Sequence, residues 1–382
     1  MLKKEIFIII VFLFIVKSSS QEFGFAEELS YLKEKGVNPI TYVIKKFNDY
    51  DFVILGEDHA IKDNIDFVDK LIPELYQAGV YTLGMEFGAY EKQPVVDSLL
   101  QAKTYNEQII RDVMYFYNVG WAYKEYMDIY KTVWEFNKRL SSNSRKFSIL
   151  NVSYQYNWSV FSGIPTPENM SKVFHMGPPN IFRAKVVDQE IAKKDDKILL
   201  LVGTPHAFTR YQKASVSKNN DGFCTFDNGS LGNILYEKYP SKVFSVFLHG
   251  PFYNKPNKTP FLVSPAFDHI EKIAALSGNK PMGFDLQSTP FGELKDDSIY
   301  ATCYPDFRLG QLFDGYIFLV PFNKMKSCTI DTDFFKGKDW NATKKQLPDP
   351  HWHEEVNSYD EYWKQIRNYG NVKSRYKTLI NK

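Results

Sequence analysis

One stretch limits what this chain can fold into: Asp51-Phe52-Val53-Ile54-Leu55-Gly56-Glu57-Asp58-His59, an apolar run that stops at a glycine and then delivers a carboxylate and an imidazole. Four apolar residues before a glycine read as a short buried strand, with the glycine allowing a tight turn where a side chain would clash. Glu57 and His59 are then placed just past the C-terminal end of the strand, the edge where open α/β sheets bind ligands. A second stretch repeats the pattern: Lys197-Ile198-Leu199-Leu200-Leu201-Val202-Gly203-Thr204-Pro205-His206. Both are apolar strands running into Gly-x-x-His.

Length and composition set the frame around these strands. The 382 residues fit one large α/β domain or two fused halves. Aromatic residues make up 16% of the chain and charged residues 24%, which indicates a folded protein with a substantial core. The formal charge of +2 falls to near zero once Lys3, Lys4, Glu5 and Lys17 are removed, so no electrostatic footprint for nucleic acid is present. That removal is expected: two lysines, the apolar run Ile6 to Val16 and then Ser18 and Ser20 match a secretory leader over residues 1–20, too short in its apolar part to span a bilayer. Export is the expected localisation, periplasmic or secreted, with no transmembrane span after cleavage. The cysteines Cys224, Cys303 and Cys328 allow one pair at most and imply no disulfide scaffold.

In chain order, helices are expected over Ala26 to Lys35 and Ile40 to Phe47, then Asp63 to Gln77, where Ile65, Val68, Leu71, Ile72 and Leu75 repeat at helical spacing and Pro73 interrupts. Val80 to Phe87 reads as the next strand, which makes a βαβ unit and brings Glu86 to the same edge as Glu57 and His59. Residues 91–140 read as largely helical, Trp121 to Leu140 most clearly, with Tyr126, Ile129, Tyr130, Val133 and Phe136 on one buried stripe. A strand over Phe147 to Val152 and a long loop over Ser162 to Asn180 follow, the loop being a candidate lid. Next come a helix starting at Arg183, the second Gly-x-x-His strand, a helix over Leu231 to Tyr239 and the strand Val243 to Leu248. Further strands are read at Met282 to Leu286 and Phe313 to Val320, and a charged terminal helix over 358–380. The domain reading is a leader over 1–20 and a single α/β domain over 21–382, with residues 251–382 completing the sheet.

The candidate site residues gathered on one sheet edge are Glu57, His59, Glu86, Arg183 and His206. Two imidazoles and two carboxylates can do either of two jobs. His59, Glu86 and His206 can hold a divalent transition metal with an open position for the reactive water. Without metal, a His-carboxylate pair can act as general base on water, the carboxylate fixing the imidazole tautomer. Arg183 then binds an anionic group or stabilises developing negative charge. His249, Asn151 and Tyr154 are secondary candidates at other strand ends. His351 and His353 with Glu354 and Glu355 lie in a polar terminal segment and read as solvated surface, and His175 and His269 have no supporting context.

Leu55-Gly56-Glu57-Asp58-His59, Gly84-Met85-Glu86-Phe87, the helix with Arg183 and Val202-Gly203-Thr204-Pro205-His206 together resemble the superfamily of erythromycin esterases, ChaN haem-binding proteins and Tiki/TraB proteases. The resemblance covers roughly residues 45–250. It implies a mainly parallel α/β sheet flanked by helices, with two similar halves that each carry a strand and a Gly-x-x-His motif. The esterases usually place the first His three residues after the Glu and add a further His after the second motif. Here the first spacing is two and Thr209 holds the second place, so the pattern is more similar to the ChaN-like uptake family. The resemblance implies a hydrolase acting on an ester or amide in a small-molecule or peptide substrate, or alternatively a haem- or iron-binding protein without turnover. Haem or a divalent transition metal is the implied cofactor, and the oligomeric state is left open.

Overall fold

The computed structural model describes residues 24–161, 166–216, 222–255, 259–346 and 356–380. The expected leader and the His351/His353 segment lie outside these residues. In chain order the strands are β1 (Phe52–Glu57), β2 (Thr82–Met85), β3 (Ser148–Asn151), β4 (Ile198–Gly203), the hairpin β5 (Lys213–Val216) and β6 (Cys224–Asp227), β7 (Val243–Leu248), the short pair β8 (Phe252–Tyr253) and β9 (Leu262–Val263), β10 (Met282–Asp285) and β11 (Gly315–Phe318). Seven of them form one sheet in the order β10-β11-β7-β1-β4-β2-β3. Every pairing in it is parallel except β10 with β11. The fold is therefore α/β, with a mainly parallel sheet flanked by helices.

The two glycine-terminated strands lie side by side near the centre, with Phe52 opposite Ile198 and Glu57 opposite Gly203. Both are buried along their whole length. Strands covered on both faces read as continuous apolar runs, which is why these two sequences occupy interior positions. The expected βαβ unit is consequently a split one: β1 and β2 are not neighbours, because β4 fills the position between them. Alternation along β1 feeds two cores. Val53 and Leu55 join Ile65, Val68 and Leu71 of the Lys62–Gln77 helix and Tyr126, Ile129 and Tyr130 of the Lys124–Arg139 helix. Phe52 and Ile54 join Phe182 and Val187 of the Pro179–Glu190 helix, Leu235 of Leu231–Lys238 and Ile270 of His269–Leu276.

Three expectations are corrected. The helix read as starting at Arg183 begins at Pro179, so Arg183 sits in its second turn and is buried. The loop expected over residues 162–180 contains the helix Pro167–Val173, whose N-cap Thr166 accepts from the Asn169 amide. Continuous helix from residue 121 is replaced by a start at Lys124, which leaves Trp121 in the loop beside β1. The terminal residues pack inward: Tyr362 and Ile366 of the Tyr359–Gly370 helix join the first core, and Val372 and Tyr376 pack on Ile61 and Phe322. Among the described residues no helix is long and apolar enough to cross a membrane.

Candidate active site

The parallel register brings the ends of β1, β4 and β2 together. Glu57 closes β1 opposite Gly203, and the Glu86 amide continues the β2 ladder to the Leu201 carbonyl at 3.1 Å. Glu57 is buried. Its Oε1 accepts from the Tyr126 hydroxyl at 2.6 Å and faces His59 Nδ1 at 3.0 Å, while its Oε2 has no partner among the described residues. The Tyr126 hydroxyl in turn accepts the Ala60 amide at 3.1 Å, which commits its own proton to Glu57. Ala60 has a positive φ of 63°, a left-handed turn immediately after His59 that Tyr126 holds in place. Burial lifts the Glu57 carboxyl above its usual range, against the opposing bonds from His59 and Tyr126. Burial pulls His59 down, but the hydrogen bond and charge of Glu57, with Glu86 beyond, leave it raised overall.

Glu86 heads a second group, with both of its carboxylate oxygens engaged. Its Oε1 takes Arg183 Nη2 at 3.0 Å and His206 Nε2 at 3.0 Å, and its Oε2 takes the Gly203 amide at 2.8 Å. Arg183 Nη1 donates to Asn180 Oδ1 at 2.8 Å and lies 3.4 Å from His206 Nδ1. His206 therefore gives its Nε2 proton to Glu86 and its Nδ1 lone pair to Arg183. Burial and the Arg183 charge lower its pKa despite Glu86. Burial alone lifts Glu86, yet its cationic neighbours hold it well below the carboxylate range. The permanent charge of Arg183, with Nη2 3.0 Å from Oε1, contributes to keeping it ionised alongside His206.

His59 lies between the two groups. Its ring packs edge-on against Phe87 and Trp121, at centroid distances of 5.4 and 5.1 Å. Its other side rests on Gly203, where an added Cβ would lie 2.8 Å from Cε1 and 3.0 Å from Nε2. Of the four nitrogens on His59 and His206, only His59 Nε2 has no partner among the described residues.

The structure thus brings together all five leading candidates, Glu57, His59, Glu86, Arg183 and His206. His59, Glu86 and His206, the proposed metal ligands, lie close together but are not arranged as a ligand set. Among the described residues no three His, Cys, Asp or Glu side chains are arranged to hold a metal ion. Glu86 and His206 are turned onto each other and onto the Arg183 guanidinium, a fixed cation that opposes a dication there.

The secondary candidates serve elsewhere. His249 bonds Tyr316 at 2.6 Å and Glu271 at 2.7 Å under the ring of Phe322. Asn151 accepts from Tyr130 at 2.7 Å, and Tyr154 donates to the Gly177 carbonyl at 2.9 Å. Thr209 belongs to a buried group with Ser245 and Asp314. Sequence reading missed the site roles of Tyr126 and Trp121, and it missed a clamp formed from the far end of the chain. Arg375 donates to the His59 carbonyl at 2.9 Å and, together with the Tyr376 hydroxyl, to Asp58 Oδ2. For Tyr126 the signal was present, since it fell on the buried stripe, but periodicity does not reveal where a hydroxyl points.

Residues 43–158 match the family described as haem-binding uptake, Tiki superfamily, ChaN. No curated protein matches the chain. Among solved structures, a Bacillus cereus protein is similar at 13% identity over 80% of this chain and 98% of its own, with a TM-score of 0.50. An erythromycin esterase mutant, EreC, in its open conformation is similar at 13% identity over 72% of this chain and 91% of its own, with a TM-score of 0.46. ChaN of Campylobacter jejuni, described with cofacial haem, is similar at 16% identity over 55% of this chain and 85% of its own, with a TM-score of 0.33. At this identity the likeness to the Bacillus cereus protein is one of fold.

Proposed function

Taking residues 43–158 as a ChaN-type segment of the Tiki superfamily, we propose that the chain is an exported hydrolase that activates water with His59 and cleaves an ester or amide. The observation that carries this reading is the state of His59: Nδ1 is fixed on the Glu57 carboxylate and Nε2 is left free beside a second anion. A carboxylate on one ring nitrogen sets the tautomer and supports the imidazolium that forms when the other takes a proton from water. Glu86 adds to that support, and Arg183 helps to keep Glu86 charged. His206, with both nitrogens engaged, serves to hold Glu86 and not as a second base.

The test is a panel of activated esters and amides with wild type, His59→Asn and Glu57→Gln, each checked for folding by thermal melt. Loss of turnover by about a hundredfold or more in His59→Asn at an unchanged melt is expected, with a smaller loss for Glu57→Gln. Arg183→Ala should lower turnover while substrate still binds. The family description supports the rival reading, a haem- or iron-binding protein without turnover. A Soret band in the purified protein with no hydrolysis of any panel member would replace the first reading with the second.

A further inference from the structure

Beside His59 the aromatic wall lines a half-open cavity that the water-activating cluster does not use. It has a volume of about 80 Å³ and is bounded by Gly120, Trp121, Tyr123, Tyr362, Ile366 and Tyr369, with the amides of Asn118 and Gln365. Trp121 belongs to both places, because the ring that packs on His59 at 5.1 Å also walls the cavity. This tryptophan is only 5% exposed, and its Nε1 finds no acceptor among the described residues. A buried N–H left without an acceptor costs roughly 1–3 kcal/mol, so a donor kept there is explained by an acceptor that arrives from outside. Gly120 lets Tyr362 close up against this wall: a Cβ on it would come within 2.6 Å of the Tyr362 hydroxyl oxygen.

The volume sets the size of the guest. An apolar cavity of ~150 Å³ holds benzene, so about half that volume holds a group of roughly three carbons. The aromatic rings and Ile366 give that group a mainly apolar surround, with Asn118 and Gln365 also on the wall, and the indole N–H left without an acceptor asks for one oxygen next to it. A short acyl group meets both requirements, with its alkyl tail in the cavity and its carbonyl oxygen on the indole.

We propose that this cavity is the acyl subsite of the hydrolytic centre, taking a short alkyl chain whose carbonyl oxygen accepts from Trp121 Nε1. The proposal rests on the hydrolase reading and names its substrate class, short-chain esters or amides.

The test uses the full chain and 4-nitrophenyl acetate, butyrate and octanoate. Butyrate should exceed octanoate in kcat/KM by at least about tenfold, since each misplaced methylene in a confined pocket is worth roughly that much. Ile366→Ala should narrow the ratio by enlarging the cavity, and Trp121→Phe should lower kcat/KM for butyrate by about tenfold or more by removing the donor. Equal rates across the series, or a Trp121→Phe enzyme as active as wild type, would overturn the subsite. If no ester is turned over, the hydrolase reading fails by itself, and a binding measurement decides the cavity. Titration with butyramide, followed by tryptophan fluorescence, should saturate in wild type and not in Trp121→Phe. No saturation, or an equal response to octanamide, would again overturn the proposal.

Discussion

At the scale of single residues, two positions carry most of the argument for His59. Gly203 has no room for a side chain because the imidazole occupies the space beside it. The contact is with the end of a side chain, so Gly203→Ala should fold but tilt the ring. An error of about 1 Å in a reacting group costs on the order of a hundredfold, and that is the expected fall in turnover, read against a melting temperature within a few degrees of wild type. Glu57 governs protonation. With the carboxylate in place, His59 titrates above the ordinary imidazole value of about 6.5, and His206, buried against Arg183, titrates below it. NMR titration of the imidazole Cε1–H signals, assigned through His59→Asn and His206→Asn, should show this split. Since a base works only when deprotonated, kcat/KM should rise with pH through the raised His59 value. Glu57→Gln removes the charge that raises it, so the acid limb should move to lower pH as the rate falls. A limb that stays in place would mean that another group titrates.

At the scale of elements, the last short helices act on the first motif. Arg375, at the end of Val372–Arg375, holds the His59 carbonyl and Asp58 together and stacks between Tyr369 and Tyr376. It touches no reacting atom and is a positioning residue. Arg375→Ala should lower kcat by about tenfold with little change in KM, and Arg375→Lys, able to serve one acceptor but not the planar pair, should fall between. Unchanged kcat in a folded Arg375→Ala protein would make the clamp merely structural. Nothing in the sequence announces this contact, because 316 residues separate its partners and no local pattern spans such a distance. The elements themselves were legible. Ala26–Lys35 and β7 fall where periodicity and apolar runs put them, since each is a local consequence of spacing. Glu57, His59, Glu86 and His206 were legible for the same reason: all follow apolar strands, and parallel strands share one functional edge.

For the molecule as a whole, strand order is the part that sequence leaves open. β4 enters between β1 and β2 after about 110 further residues of chain, and only long-range packing decides that insertion. The same holds for the cysteines. Three allow any one pair, and the structure joins Cys224 of the exposed strand β6 to Cys303 and leaves Cys328 buried. Burial, with Glu125 and Glu57 nearby, pushes the Cys328 thiol well up. It therefore forms little thiolate and does not compete in exchange. The bridge closes a loop with a sequence separation of 79, for which the chain-entropy estimate is about 4 to 5 kcal/mol of stability. Cys224→Ser/Cys303→Ser, or wild type under reductant, should melt on the order of 10 °C lower, while Cys328→Ala should respond to reductant as wild type does. The exposed hairpin gives the competing outcome its meaning. If the melt moves by less than a degree while protease cuts appear near β6, the bridge only pins the hairpin through the Phe226–Tyr304 contact. The sheet would then be stable without it, and the entropy of the closed loop would not be a term in global unfolding.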